Sequence, residues 1–172
     1  AEYIRHGLDF NYMMDNVHEF LERIPARNSI TFIITYNNLS VTSLGDLLRD
    51  IKQLRQKFSK TYQRIWFDIP LLRQPAWQQI TILPESYQAI HKANIEYMEK
   101  NSGQELGFGQ FKDFEIQKML RNLAYWRQNY SADAKLKSNF YAFFSEHDRR
   151  RKTNFLNTFP EMDDFWRECK SA

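Results

Sequence analysis

The sequence predicts an α/β protein with parallel strands, an α/β layer or barrel segment, followed by a helical extension. Three observations lead there. Two short runs rich in β-branched and aromatic residues, Ser29 to Tyr36 and Arg64 to Ile69, alternate with stretches of helical period. The spacing between the runs leaves room for a crossover helix, which implies βαβ units and right-handed connections. After residue 101 only the helical period continues. The expected organisation is therefore a first part over 1–101 and a helical extension over 102–172.

Taken in order, Phe10, Met13, Met14, Val17, Phe20, Leu21 and Ile24 recur at steps of three and four, with Asp9 placed as a cap and Pro25 as a stop. That is an amphipathic helix. Ser29 to Tyr36 is too short for a helix of that apolarity and is bounded by Asn28 and Asn37-Asn38, so it reads as a buried strand. Ser43 caps the next helix, whose stripe runs Leu44, Leu47, Leu48, Ile51, Leu54 and Phe58, with Gly45 as a local weakness. Arg64 to Ile69 repeats the strand signal, Pro70 and Pro75 interrupt the stretch after it, and Pro84-Glu85 opens a third helix through Met98. Beyond the loop from Gly103 to Gly109 come helices over Asp113 to Gln128, Leu136 to His147 and a short one after Pro160. A complete eight-stranded barrel runs to about 250 residues, so this chain supplies at most part of one.

Composition bounds the function. Of 172 residues 42% are hydrophobic, and Gly 5 with Pro 5 makes few breakers, which excludes a disordered or collagen-like chain. The net charge of +3 demands neither a nucleic acid nor a membrane. The lone cysteine, Cys169, cannot form an internal disulfide, nor an iron–sulfur site of about four ligands. No apolar run approaches the roughly 18 residues of a membrane span and no signal peptide is evident, so a cytoplasmic location is expected. The opening Ala1-Glu2-Tyr3, without an initiator methionine, is what a processed product or an excised piece shows, with the excised piece favoured.

Side chains alternate across a strand. Thr31, Ile33, Thr35 and Asn37 share one face, and Ile30, Phe32, Ile34 and Tyr36 the other. In the second run Trp66, Asp68 and Pro70 share a face, and Ile65, Phe67 and Ile69 meet the helices. Both runs therefore turn polar groups to the same side near their C-terminal ends, the edge at which parallel α/β sheets bind ligands. Thr35, Asn37, Asn38 and Asp68 become site candidates, although on pattern alone the reading of Asn37-Asn38 as a turn and Asp68 as a loop cap comes first, since turns commonly use these residue types.

Three ordered segments resemble the later half of a radical S-adenosylmethionine enzyme: Glu2 to Phe10 (EYIRHGLDF), Thr31 to Val41 (TFIITYNNLSV) and Phe67 to Pro75 (FDIPLLRQP). The tail, Asn139 to Arg151 (NFYAFFSEHDRRR) with Thr158 to Met162 (TFPEM), is similar to the end of the branch known as twitch-domain radical proteins or Fe–S oxidoreductases. The resemblance implies the later half of a partial (βα) barrel, beginning just after the family's fourth strand. In that family a Cys-x3-Cys-x2-Cys loop holds a 4Fe-4S cluster that cleaves S-adenosylmethionine to a 5′-deoxyadenosyl radical, and the cofactors carry the chemistry. This sequence lacks that loop, so the resemblance implies a chain inactive by itself and retaining neither cofactor. It further implies that Arg5 pairs with the cofactor carboxylate, that Asn37, with Thr35 beside it, bonds ribose or adenine, and that Asp68 and Arg73 meet a small-molecule or peptide substrate.

The remaining constellations read more plainly. His6, His18, His91 and His147 are widely separated, which favours surface or packing roles. Glu146-His147-Asp148 are neighbours on a helix and point in different directions, an arrangement ill suited to acid–base work. The run Arg149 to Lys152 sits where cations complement a helix C-terminus, and nucleic-acid binding by a non-enzymatic α/β module is the alternative function it suggests. The aromatic residues from Phe140 to Trp166 have spacings that suit burial. An exposed strand edge beside Ile33 and Trp66 predicts that the isolated chain self-associates as a two-fold dimer.

Overall fold

The computed structural model describes residues 2–172, with residues 104–106 described by backbone alone; Ala1, on which the reading as an excised piece rests, lies outside them. The chain divides into two compact units interleaved in sequence, the first comprising 1–34, 44–69 and 93–120, the second 35–43, 70–92 and 121–172.

In the first unit helix α1 (Phe10–Arg23) begins where Asp9 accepts a hydrogen bond from Tyr12 N–H at 2.9 Å, which satisfies one of the free amides of the first turn. Its far end is held by Arg64, whose guanidinium donates to Leu21 O at 2.9 Å, Ile24 O at 3.3 Å and Asn28 O at 3.1 Å. Strands β1 (Ile30–Ile33) and β2 (Ile65–Asp68) pair in parallel, Ile30 opposite Ile65 and Ile33 opposite Asp68, joined through helix α2 (Leu44–Phe58). Leu44, Leu48, Ile51 and Leu54 of α2 are buried with Ile65 and Phe67. Arg55 is buried among them. Its guanidinium forms a two-pronged ion pair with Glu115, at 2.6 and 3.0 Å, and donates to Ile65 O at 3.0 Å and Gln110 O at 3.0 Å. Phe67 and Phe111 flank the guanidinium at 5.7 and 5.5 Å. The unit also takes in the C-terminal part of helix α3 (Ser86–Lys100), a 3-10 stretch Gln104–Gly109 and the N-terminal part of helix α4 (Asp113–Gln128).

In the second unit Tyr36 joins the chain beyond β1 to the chain beyond β2. Its N–H donates to Pro70 O and its carbonyl accepts from Leu72 N–H, both at 2.8 Å, and its hydroxyl meets His91 Nδ1 at 2.7 Å. Two 3-10 turns, Ala76–Gln78 and Ile80–Ile82, come after the prolines. Helix α5 (Ala134–Arg151), capped by Asp133, packs with helix α7 (Asp163–Ser171) and the short helix α6 (Phe155–Thr158) around Phe140, Phe144, Phe155 and Phe165. Trp166 stacks on Phe155 at 4.4 Å between centroids, so the aromatic spacing of the tail serves packing.

The expected partial barrel is corrected by this structure. Helical turns account for 61% of the chain, and the described residues contain two short strands in a single parallel pair, which makes the protein mainly helical. The physical reason lies after β2. The chain passes through Pro70 and Pro75 and the β-branched run Ile80–Ile82 closes into a 3-10 turn, so this stretch supplies no further strand to the pair.

Candidate functional site

The helix-facing side of the β1–β2 pair is buried through Ile65 and Phe67, while its other side presents Thr31, Ile33, Trp66 and Asp68. Ile33 is 73% exposed, an unusual position for an isoleucine in a strand. Phe114, on the first turn of α4, stacks on Trp66 with centroids 6.1 Å apart and rings inclined by 30°. One helical turn further, Lys118 donates to Asp68 Oδ1 at 2.7 Å, and the same oxygen accepts the N–H of Ile69 at 2.8 Å. The Lys118 hydrogen bond holds the Asp68 carboxyl below its ordinary range, with partial burial opposing and the Ile69 amide assisting. The outcome is an apolar wall ending in a half-exposed carboxylate–ammonium pair at the C-terminal end of parallel strands. Such a pair orients a polar ligand by charge and hydrogen bonding. Asp68 is ionised at neutral pH and is not a proton donor there.

The other predicted residues are dispersed. Arg5 is exposed in the first unit, in a turn where its carbonyl accepts from Leu8 N–H at 3.2 Å. In the second unit Asn37 bonds to Thr35: its Nδ2 donates to Thr35 O at 3.0 Å while its Oδ1 accepts from Leu39 N–H at 2.9 Å. Its own N–H donates to Ser40 Oγ at 2.8 Å. These bonds build the turn that the residue types suggest, and the amide keeps one further N–H and one further lone pair for another partner. Arg73, in the same unit, lays its guanidinium over the Tyr125 ring at 4.1 Å. Thr35 and Asn37 are thus in contact, whereas Arg5 and Asp68 belong to the other unit. Lys118 and Phe114 were not expected at the site; their four-residue spacing puts them on one face of α4, but nothing local says that this face meets β2.

The donor set does not fit an iron–sulfur cluster. Cys169 is buried and its thiol is pushed up to about 12, chiefly by burial and also by Glu168, the reverse of what a thiolate ligand needs. Among the described residues no group of three or more His, Cys, Asp or Glu is arranged to hold a metal ion. No helix among them is long and apolar enough to cross a membrane.

The basic run is largely engaged. Arg149 donates to both oxygens of Glu146 at 2.7 Å, and Arg150 Nε donates to the same carboxylate at 2.6 Å, which holds Glu146 down to about 2. Asp148 accepts from Thr153 Oγ1 and from Phe155 N–H, each at 2.7 Å, so it fastens the turn after α5. A cavity of about 390 Å³ in the second unit is lined by Tyr87, Glu161, Asp164, Phe165 and Glu168, and includes none of the predicted site residues. Burial, with the nearby carboxylates adding to it, pushes Tyr87 up to about 12. Comparison with known proteins adds nothing to these features: no protein family, no curated protein and no solved structure matches this chain.

Proposed function

We propose that this chain contributes the substrate-side wall of a radical S-adenosylmethionine Fe–S oxidoreductase, acting with a cluster-binding segment that this sequence does not contain. The single observation that carries the reading is Asp68, a charged side chain on the open face of a parallel pair, at its C-terminal end, held by Lys118 at 2.7 Å beside Ile33 and Trp66. The ordered segments around Arg5, Asn37, Asp68 and Arg73 support it, because each carries residues that the family uses toward cofactor or substrate. When bound, the cofactors supply the radical. This chain supplies orientation: Asp68 and Lys118 position a polar substrate group, and the apolar wall of Ile33, Trp66 and Phe114 excludes water from it. Arg5 is suited to a carboxylate and Asn37 to a nucleoside, through the bonding capacity each retains.

The test starts from the gene. A reading frame joined to a Cys-x3-Cys-x2-Cys loop supports the proposal, and the protein it encodes, reconstituted without oxygen and reduced, is expected to release 5′-deoxyadenosine from S-adenosylmethionine. Absence of the loop, or a loaded cluster that leaves the cofactor intact, defeats the reading. The nucleic-acid alternative gains no support from the tail, since one carboxylate occupies two of its arginines.

A further inference from the structure

The two edges of the β1–β2 pair differ. Ile30 N–H donates to Arg64 O at 2.7 Å and Ile34 N–H to Asp68 O at 2.8 Å, so in this parallel ladder Ile30, Phe32 and Ile34 turn their main-chain groups toward β2. Thr31 and Ile33 turn theirs away. By the same alternation Ile65 and Phe67 face the far side of β2, where Ile65 O is taken by Arg55 Nε at 3.0 Å and by Gln63 Nε2 at 2.6 Å. That edge is buried: Ile65 and Phe67 are inaccessible to solvent and a buried guanidinium lies against Ile65 O. The edge of β1 has no counterpart: Thr31 and Ile33 are both exposed, and among the described residues no side chain or loop bonds to their main-chain groups.

An open edge of this kind is a template for another strand, and natural sheets commonly guard it with a lysine, a proline or a bulge. Ile30–Ile33 reads Ile-Thr-Phe-Ile, without charge, proline or glycine. Its outward groups at Thr31 and Ile33 are disposed symmetrically about Phe32, which makes the strand complementary to itself when a second copy runs antiparallel. Thr31 of one copy then faces Ile33 of the other, and each such pair exchanges N–H···O bonds in both directions. No like charges meet. The resulting sheet ends on both sides at the buried edge of β2, so the assembly closes as a dimer and does not propagate.

We propose that the chain forms a two-fold dimer through antiparallel pairing of β1 with β1 of a second copy, which joins the open faces around Ile33 and Trp66 into one surface. This inference rests on the open edge of β1 and not on the radical-enzyme reading. Light scattering after size-exclusion chromatography is expected to give twice 20.8 kDa at micromolar concentration, falling toward 20.8 kDa on dilution. In the same samples, amide exchange at Thr31 and Ile33 is expected to slow on the order of tenfold as the dimer forms, while Phe32 stays protected throughout. Ile33→Lys, at an exposed side chain, is expected to stay monomeric with an unchanged circular dichroism spectrum. Ile33→Pro removes only an outward N–H and serves as the second blocking variant. A mass of 20.8 kDa at every concentration overturns the proposal. So does a dimer whose Thr31 and Ile33 amides exchange at the monomer rate, or one that persists in both folded variants.

Discussion

Asp68 accepts two hydrogen bonds on one oxygen, from the Lys118 ammonium and the Ile69 amide, while its side chain remains 47% exposed. That exposure limits what the pair contributes to folding, because solvent screens it; exposed pairs are worth about 0.2–1 kcal/mol. The lowered carboxyl pKa sets the sign. A carboxylate held below its ordinary range adds stability above that range and loses it as pH falls through the lowered value. Asp68→Asn is therefore expected to cost less than about 1 kcal/mol at neutral pH and nothing once the wild-type carboxyl is protonated. Urea midpoints measured for both proteins across the acid range check this. A constant difference persisting into strong acid means that the loss comes from packing and not from charge.

Arg55 and Glu115 lie 60 residues apart in sequence, and both side chains are fully buried, so their pairing ties α2, β2 and α4 together within the first unit. Removing one partner of such a pair leaves the other charge buried and unpaired, a loss of about 3–5 kcal/mol. Glu115→Ala is expected to destabilise by that amount, and Arg55→Met with Glu115→Leu to recover only part of it, since an apolar pair of similar volume avoids the desolvation cost but leaves Gln110 O and Lys112 N–H without their side-chain partners; denaturant titration of the single and double variants reads the difference. Neither this pair nor the Lys118–Asp68 pair was legible in the sequence, because each depends on segments brought together from far along the chain. The legible features are local. The period of three and four from Phe10 to Ile24 gives α1, the stripe from Leu44 to Phe58 gives α2, and the alternation through Phe32, Phe67 and Asp68 gives the two sides of the strand pair. Gly45, read as a weakness of α2, has a tertiary role: a Cβ there would lie 2.7 Å from Asn94 Oδ1 on α3. The partial barrel failed as an expectation because two strand signals say nothing of how many strands join them. The chain beyond β2 turns instead into 3-10 turns and helices.

Charge acts on the scale of the whole molecule, and here its balance is close: 24 basic residues against 21 acidic ones, with four consecutive cations at Arg149 to Lys152. Cations left unpaired in such a run are able to neutralise phosphates. In this chain Glu146, one turn earlier on α5, accepts from Arg149 and Arg150 and turns both guanidinium groups back along the helix. Because its folded pKa is depressed to about 2, the pairing persists as pH falls from neutral and is lost only as pH passes through that value, so no ordinary change of pH releases the arginines. Removing the carboxylate does. Wild-type protein is expected to give no mobility shift with a single-stranded RNA at physiological salt and only weak binding at low salt, where Glu146→Gln, which frees two cations, is expected to bind more tightly. Each phosphate neutralised on a single strand contributes about 0.7 to the slope of log K against log salt, so the variant's slope is expected to exceed the wild type's by about 1.4. Fluorescence anisotropy across a salt series measures both slopes. Equal slopes would mean that the freed arginines touch no phosphate, and tight wild-type binding at physiological salt would restore nucleic acid as the partner of this tail.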